Sequence, residues 1–312
     1  MDRSVIRTKD VTKVFKSGFK LEEINISIKK GEIFGLIGQN GAGKSTLLRL
    51  IAGLSYPTSG TIERFGFENS QGLVNAQKRM GVTIENPALY PHMTAHENLE
   101  VHRLEKGVPG KACIERALEL VGLIDVGRKK VKHFSLGMKQ RLGIALALLS
   151  DPEFLILDEP TNGLDPTGIV ELRELIKNLN QKRGLTVLIS SHILSEIYQL
   201  ATRFCFIHQG RILEQLTKTE LDEKCRQHVR IKVDDAAKGA LILERDLATT
   251  NFEVLADGTI KLYSYLNDVR MVSRTLTEND LTIEHLSIDG ESLENYYRKL
   301  LGGIKGEQFN QS

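Results

Sequence analysis

The stretch "GQNGAGKST", residues Gly38 to Thr46, fits the pattern G-x-x-x-x-G-K-[ST]. It follows the apolar run "EIFGLIG" (32–38) and opens a helix-like stretch. A strand before the loop and a helix after it are the context in which this pattern binds phosphate. The stretch therefore predicts a phosphate loop in an α/β fold; the alternative is a glycine-rich turn without a ligand.

The residue types of this loop suit a bound triphosphate. Gly41 and Gly43 lack side chains, so backbone N–H groups can close on phosphate oxygens at the positive end of the following helix. Lys44 supplies a positive charge for the terminal phosphates, Ser45 can coordinate Mg²⁺, and Thr46 can help to hold the loop. The predicted nucleotide-binding residues of the loop are Gly38, Asn40, Gly41, Ala42, Gly43, Lys44, Ser45 and Thr46.

A second motif, "FLILDEP", places Asp158 and Glu159 directly after a buried strand-like run. Open α/β sheets bind ligands at the carboxyl ends of their strands, so both acids are expected near the phosphate loop. We expect Asp158 to hold Mg²⁺, through water, and Glu159 to act as general base on the attacking water or to orient it. A helix cap is the alternative for such a pair.

Apolar runs recur along the first two thirds of the chain, separated by helix-like stretches, and they predict a buried, largely parallel sheet. These runs are "EIFGLIG", "EFLILDE" (153–159), "LTVLISSH" (185–192) and "FCFIHQG" (204–210). Before them, "SVIRTKDVTKVF" (4–15) and "EEINISIKKGE" (22–32) alternate in polarity and predict a small antiparallel sheet. The predicted first domain, residues 1–216, is mixed α/β.

Residues 217–312 differ from the first two thirds of the chain in their pattern of strand-like and helix-like segments, and they predict a second, accessory domain. Their strand-like and helix-like segments follow in the order β-α-β-β-α-β, which is typical of a small α+β ferredoxin-like module, here with a closing helix. The final "GEQFNQS" (306–312) is expected to be a frayed tail.

Composition excludes several classes of function. The 312 residues include 42 basic and 40 acidic side chains, a net charge of +2, which gives no electrostatic reason to expect nucleic acid as a partner. The charged start "MDRSVIRTKD" is not expected to be a secretory signal, and "LGIALALLS" (142–150) is about half the length of a membrane span. Three cysteines without CxxC spacing predict reduced, buried thiols.

The stretch "FSLGMKQRLGIALALL" (134–149) resembles the signature of ATP-binding-cassette (ABC) ATPases, usually LSGGQ followed by K/Q-Q-R. Ser135 and Gly137 match, whereas Leu136 and Met138 replace the usual Gly and Gln, as in cassettes that pair with ABC-2-type membrane subunits. Ser135 and Gly137 would open a helix whose amino end can receive an anion. Taken alone, the stretch is equally a buried helix with a serine cap.

Further motifs extend the resemblance over residues 3–216. "TNGLDP" (161–166) resembles the D-loop, with Asp165, and "SSH" ends in His192, which resembles the switch histidine that contacts the γ-phosphate and the attacking water. Phe15 matches the aromatic residue that stacks on adenine. As isolated residues, His192 and Phe15 would more often belong to a core or a cap.

Glu85, in "MGVTIENPALYPHMT" (80–94), occupies the position where most such cassettes carry Gln. A carboxylate of the same length would bind Mg²⁺ more strongly than an amide. This exchange and its surroundings resemble cassettes of bacitracin-resistance and lantibiotic-immunity exporters. A solvated loop acid is the alternative.

The resemblance implies ATP and Mg²⁺ as cofactors and ATP hydrolysis coupled to transport. It also implies a homodimer or a paired cassette that sandwiches two ATP, and separate ABC-2-type permease subunits that dock on residues 86–99. The chain would then be cytoplasmic, at the inner face of the membrane, and a peptide antibiotic would be the substrate. The alternatives are a generic ABC-2 exporter, a soluble ABC ATPase of translation or repair, and a nucleotide-gated module with little turnover.

Overall fold

The structure is a computed structural model, and it describes residues 4–16, 18–68, 70–85, 87–290 and 292–308. It divides into two compact units, Met1–Lys218 and Thr219–Ser312. Within the described ranges, none of the helices combines the length and the apolar character that crossing a bilayer requires.

The first unit contains two sheets and a helical segment. Its strands are β1 Ser4–Val14, β2 Lys20–Ile24, β3 Ser27–Lys29, β4 Ile33–Ile37, β5 Ser59–Arg64, β6 Met80–Thr83, β7 Phe154–Leu157, β8 Thr186–Ser191, β9 Arg203–His208 and β10 Arg211–Thr217. Its helices are α1 Lys44–Ile51, α2 Ser70–Lys78, α3 Ala95–Glu105, α4 Ala112–Leu120, α5 Leu136–Leu148, α6 Pro166–Arg183 and α7 Leu194–Tyr198.

The larger sheet has the strand order β10-β9-β4-β8-β7-β6, and all its strands except β10 run parallel. Every residue of β4, β7 and β8 is buried, as expected of parallel strands covered on both faces. Strand β8 lies between β4 and β7, so the loops after these three strands meet at one edge. The prediction of a buried parallel sheet is confirmed.

The smaller sheet is antiparallel, as predicted, and pairs β1 with β2, β3 and β5. Its buried side chains form one core with α1 and the central strands, which includes Ile28, Phe34, Leu47 and Phe154. Gly60, in β5 of this sheet, has a positive φ of 81°, and a Cβ there would stand 2.3 Å from the carbonyl oxygen of Asp10. Only glycine fits that approach.

Helices α3, α4 and α5 form the segment between β6 and β7. Helix α3 begins with a capping box, in which the Thr94 hydroxyl accepts from the Glu97 amide and the Glu97 carboxylate accepts from the Thr94 amide. The Thr94 amide and Lys130 lower the pKa of Glu97. Helix α6 begins at Pro166 after the Asp165 cap and ends at Arg183, where Gly184 caps it with a positive φ of 64°.

The second unit begins one residue into α8, Lys218–Cys225. It then contains β11 His228–Val233, α9 Ala236–Arg245, β12 Phe252–Val254, β13 Ile260–Leu262, α10 Val269–Glu278, β14 Ile283–Asp289 and α11 Leu293–Gln308. Its antiparallel sheet has the order β12-β13-β11-β14, with all neighbours antiparallel. From β11 to β14 the elements follow in the order β-α-β-β-α-β, as predicted. This order and the strand arrangement are ferredoxin-like.

Two smaller expectations fail. Cys205 is buried, and burial raises the pKa of its thiol to about 12, but Cys113 and Cys225 are only partly buried, because each lies near a helix end at the surface. The expected frayed tail is wrong for residues 306–308, which belong to α11; residues 309–312 lie outside the described residues.

Candidate functional site

A cavity of about 420 Å³ lies at the carboxyl end of β4, around the amino end of α1. It is lined by Phe19, Asn40, Gly41, Gly43, Lys44, Ser45, Thr46 and Glu159. Six of these eight residues belong to the predicted phosphate loop, and Glu159 comes from the predicted acid pair. Of the other predicted loop residues, Gly38 and Ala42 are buried outside the lining.

The loop backbone depends on glycine at two positions. Gly43 caps α1 with a φ of 107°, and a Cβ there would meet Leu21 Cδ2 at 2.5 Å. A Cβ at Gly38 would meet the carbonyl oxygen of Ile207 at 2.5 Å. Side chains at these positions would push the loop away from the sheet. Glycine at both positions lets the loop lie against the sheet and keep its backbone open toward the cavity.

Lys44 is the cation of the cavity, and its side chain is only 6% exposed. Its ammonium donates to the carbonyl oxygens of Gly38 at 2.6 Å and Gln39 at 3.2 Å. The same Nζ lies 3.0 Å from Glu159 Oε1, an ion pair that joins the loop to the acid after β7. Burial among three oxygens holds this charge where a phosphate can reach it.

Asp158 is 6% exposed and is tied to both neighbouring strands. Its amide donates to the carbonyl oxygen of Thr83 at 2.9 Å, and its Oδ1 accepts from the Ser190 hydroxyl at 2.6 Å. Ser190 Oγ also accepts from the Glu159 amide at 2.9 Å. One buried hydroxyl on β8 therefore fixes both acids.

Glu159 is placed between a cation and an imidazole. Its Oε2 lies 2.8 Å from His192 Nδ1. Its Oε1 is buried, and its 3.0 Å contact with Lys44 is an ion pair without hydrogen-bond geometry. The backbone of Glu159 is left-handed, with a φ of 48°, which is uncommon outside glycine and is found at functional sites.

These residues fit Mg²⁺ held together with a nucleotide. Mg²⁺ prefers oxygen ligands and takes one or two from the protein, with the rest from water and phosphates. Ser45 and Asp158 supply a hydroxyl and a carboxylate of that kind at the carboxyl edge of the sheet. In the described part of the chain, no three or more His, Cys, Asp or Glu side chains are grouped so that they could hold a metal ion by themselves.

The cavity has an aromatic wall, and it is Phe19 that lines it. Phe15, the predicted adenine-stacking residue, is outside the lining. Its ring centroid lies 6.1 Å from that of Phe19 and 5.6 Å from the Lys13 ammonium. Phe19 was missed by the sequence reasoning. The signal for it was a second aromatic residue four positions after Phe15, in the same turn.

Glu85 does not line the cavity. It is 67% exposed, has a positive φ of 61°, and pairs with the guanidinium of Arg49 on α1. Ser135, Gly137 and Asp165 also lie outside the lining. Ser135 caps α5 by accepting from the Met138 amide, and Asp165 caps α6 by accepting from the Gly168 amide. The structure therefore groups the loop, both acids and His192, and leaves these four residues apart.

The fold and the loop define an ATP-binding cassette, and comparison with known proteins agrees. Residues 21–162 match the family model described as "ABC transporter". The chain belongs to the ATP-binding proteins of ABC transporters, and it is an ATPase.

Three relatives illustrate the relationship. The chain is 43% identical to the bacitracin transport ATP-binding protein BcrA of Bacillus licheniformis, over 96% of this chain and 98% of that protein. It is 40% identical to BcrA of Enterococcus faecalis, over 96% and 97% respectively. It is 44% identical to the lantibiotic transport ATP-binding protein SrtF of Streptococcus pyogenes, over 67% of this chain and 89% of that protein.

Solved structures share the fold of the first unit. CbiO1 of Clostridium perfringens, described as part of an ABC transporter complex, is 26% identical, with a TM-score of 0.65 over 72% of this chain and 92% of that chain. The cassette MJ0796 in a dimeric post-hydrolysis state, with ADP and phosphate bound, is 27% identical, with a TM-score of 0.61 over 68% and 98%.

Proposed function

We propose that the chain is the ATPase subunit of an ABC-2-type exporter that protects cells against a peptide antibiotic of the bacitracin or lantibiotic kind. The observation that carries the proposal is the 43% identity to BcrA over 303 residues. An alignment of that length must include most of the second unit, Thr219–Ser312, as well as the cassette. The SrtF alignment spans 209 residues, fewer than the first unit holds. Because BcrA matches this chain over nearly its full length and SrtF does not, we favour a bacitracin-like substrate over a lantibiotic.

In this proposal the loop residues bind ATP, and the ammonium of Lys44 moves from the loop carbonyls onto the phosphates. Ser45 and Asp158 would hold Mg²⁺, which would neutralise phosphate charge when bound. Glu159 accepts the proton of the attacking water, and His192 orients Glu159 through the 2.8 Å contact. Glu85 would have to leave Arg49 to reach the metal.

Two cassettes are needed in the proposed mechanism. Ser135 and Gly137 lie outside the cavity of their own chain, at the exposed amino end of α5, where they can face a nucleotide held by a second cassette. Asp165, exposed at the start of α6, would lie at the same interface. The dimeric state of MJ0796 supports this arrangement, with either a second copy of this chain or a paired cassette as partner.

Membrane subunits complete the proposed exporter. Residues 87–99 of the predicted docking segment carry the partly exposed Tyr90 and lead into α3; Asn86 lies outside the described residues. ABC-2-type permeases docking there would hold the chain at the inner face of the membrane. The second candidate is a generic exporter of another compound. It is favoured by the linearmycin resistance protein LnrL of Bacillus subtilis, which is 33% identical over 96% of this chain.

Two measurements test the proposal. The chain, tagged in its host, is isolated from detergent-solubilised membranes, and a polytopic membrane protein is expected to co-purify; association with ribosomes or DNA instead would refute the exporter. A strain that lacks the chain is then challenged with bacitracin and with a lantibiotic. Wild-type protein should restore growth, whereas the hydrolysis-deficient control Glu159→Gln should not. Equal sensitivity of all three strains would refute the substrate class.

A further inference from the structure

A second cavity of the first unit, of about 780 Å³, lies beside the start of β6. We call it the basal cavity; its lining residues are drawn from four places. These are Val74–Met80 at the end of α2 and the start of β6, Lys106–Leu120 around the α3–α4 connection, Leu148–Asp151 at the end of α5, and Arg183. None of its lining residues lines the phosphate-loop cavity. Its volume is that of a small-molecule site.

The floor of the basal cavity is apolar. Met80, Ala117, Leu148 and Leu149 line it and are each no more than 5% exposed, so they belong to the protein interior and present little surface for water to bind. Val108 and Pro109 in the α3–α4 connection add apolar wall. An apolar body can therefore lie on this floor and gain from leaving water.

The rim, in contrast, is cationic. Five basic side chains, Lys78, Lys106, Lys111, Arg116 and Arg183, line the cavity together with one acid, Asp151. Arg183 is paired with Asp151, and the Lys106 ammonium donates to the carbonyl oxygen of Leu146 at 2.8 Å. Desolvation by the surrounding residues lowers the pKa of Lys106.

Three cations remain available at the rim. Lys111 is 3.8 Å from Glu100, which already accepts two hydrogen bonds from Arg103. Lys78 and Arg116 have no acidic partner within 4.0 Å among the side chains that the structure describes. The basal cavity thus combines an apolar floor with positive charge that the protein does not neutralise.

Helix stability explains only part of this charge. Lys78 and Arg183 stand in the last turns of α2 and α6, where a cation stabilises the helix. Lys111 stands at the amino end of α4, where a cation opposes the helix dipole, and it makes no side-chain cap there. Arg116 is in the middle of the same helix. Helix stability therefore accounts for Lys78 and Arg183 but not for Lys111 and Arg116. Of the two rim cations without an acidic partner, Lys78 and Arg116, only Lys78 has a role in helix stability.

We propose that the basal cavity binds an amphipathic organic anion, a molecule with an apolar body and one carboxylate, sulfonate or phosphate group. The body lies on the floor formed by Met80 and Leu148, and the anionic group lies at the rim between Lys78 and Arg116. The site is separate from the ATP site and requires no nucleotide.

The test uses the full chain and the fluorescent anion 1-anilinonaphthalene-8-sulfonate, with the neutral analogue N-phenyl-1-naphthylamine as a probe of the floor alone. The sulfonate should bind wild type with one site per chain. For the double variant Lys78→Ala/Arg116→Ala, the dissociation constant of the sulfonate should rise about tenfold at low salt, because two charges facing the sulfonate are lost. The neutral analogue should bind both proteins equally.

Two further variants make the comparison specific. Lys78→Arg/Arg116→Lys keeps both charges and should stay within about twofold of wild type. Lys9→Ala/Arg128→Ala removes two exposed cations outside the cavity and should do the same. An unchanged sulfonate affinity in Lys78→Ala/Arg116→Ala, or an equal loss in the Lys9→Ala/Arg128→Ala control, would overturn the proposal.

Cys113, which also lines the basal cavity, reports where the anion binds. Saturating sulfonate should slow iodoacetamide alkylation of Cys113 at least threefold and leave the rate at Cys225 unchanged; buried Cys205 serves as the unreactive reference. ATP with Mg²⁺ should not displace the dye. Displacement by ATP, or equal protection of Cys113 and Cys225, would place the anion elsewhere and overturn the proposal.

Discussion

Ser190→Ala should damage both stability and turnover, although Ser190 touches no nucleotide-binding loop. Its hydroxyl donates to Asp158 Oδ1 at 2.6 Å and accepts from the Glu159 amide at 2.9 Å, and the residue is fully buried. Alanine leaves both groups without this partner. Each buried group left unsatisfied costs about 1–3 kcal/mol, so the free energy of unfolding should fall by roughly 3 kcal/mol.

A matched control lies next to it on β8. Ser191 is 1% exposed, and its hydroxyl accepts one hydrogen bond, from the Ile193 amide at 3.0 Å. Ser191→Ala should cost about 1 kcal/mol. For a unit of this size, 1 kcal/mol lowers Tm by about 2–4 °C, so calorimetry should find Ser190→Ala roughly 6 °C below the control.

Turnover distinguishes positioning from simple destabilisation. Without Ser190, both acids can shift against the phosphate loop, so ATP hydrolysis at 20 °C should fall at least about tenfold, with a raised Mg²⁺ requirement. Ser190→Thr keeps the hydroxyl and should recover part of the rate. Equal Tm values and equal hydrolysis rates for Ser190→Ala and Ser191→Ala would refute this account of the acid pair.

Glu159→Gln leaves the phosphate loop intact, so ATP should still bind while hydrolysis falls roughly a hundredfold; size-exclusion chromatography should show ATP-loaded dimers, and near-normal hydrolysis would contradict its role as base. Lys44→Ala should weaken ATP binding at least about tenfold by calorimetry, because the charge serves the bound phosphates; unchanged affinity would contradict the phosphate loop. Deletion of residues 219–312 should leave a folded chain that binds ATP, since every loop and acid precedes it; a chain without a cooperative thermal transition would show that the domain division is wrong. Glu85→Gln should retain some hydrolysis and Glu85→Ala should need more Mg²⁺, with Tm nearly unchanged; wild-type Mg²⁺ dependence of Glu85→Ala would assign this acid to a solvated loop.

The sequence predicts the elements of this fold well because their signals are local. A run such as Ile33–Ile37 or Phe154–Leu157 is apolar throughout, and a strand covered on both faces buries every residue of such a run. The β-α-β-β-α-β order of the second unit is likewise visible in alternation and turn residues. The phosphate loop follows from spacing alone.

The partners of the site residues could not be predicted in the same way. Ser190 is 32 residues from Asp158, and their contact depends on the register of β7 against β8, in which Leu157 pairs with Ile189. The pairing of Glu85 with Arg49 depends on which face of α1 turns toward β6. Spacing along the chain determines neither the strand order nor the rotation of a helix.

The backbone of Glu159 shows why these distant partners matter for the chemistry. A non-glycine residue with a φ of 48° is held in a conformation that costs of order 1 kcal/mol and persists only where the surroundings fix it. Two contacts fix it here: the Glu159 amide donates to Ser190 Oγ at 2.9 Å, and the Glu159 carbonyl oxygen accepts from the Asn162 amide at 3.1 Å. A Glu in the helical or extended region would carry its carboxylate in another direction, away from its 3.0 Å contact with Lys44 and its 2.8 Å contact with His192. The strand order brings the two motifs recognised in the sequence to one edge of the sheet, and a serine to which the sequence reasoning gave no role helps to hold Glu159 in position there.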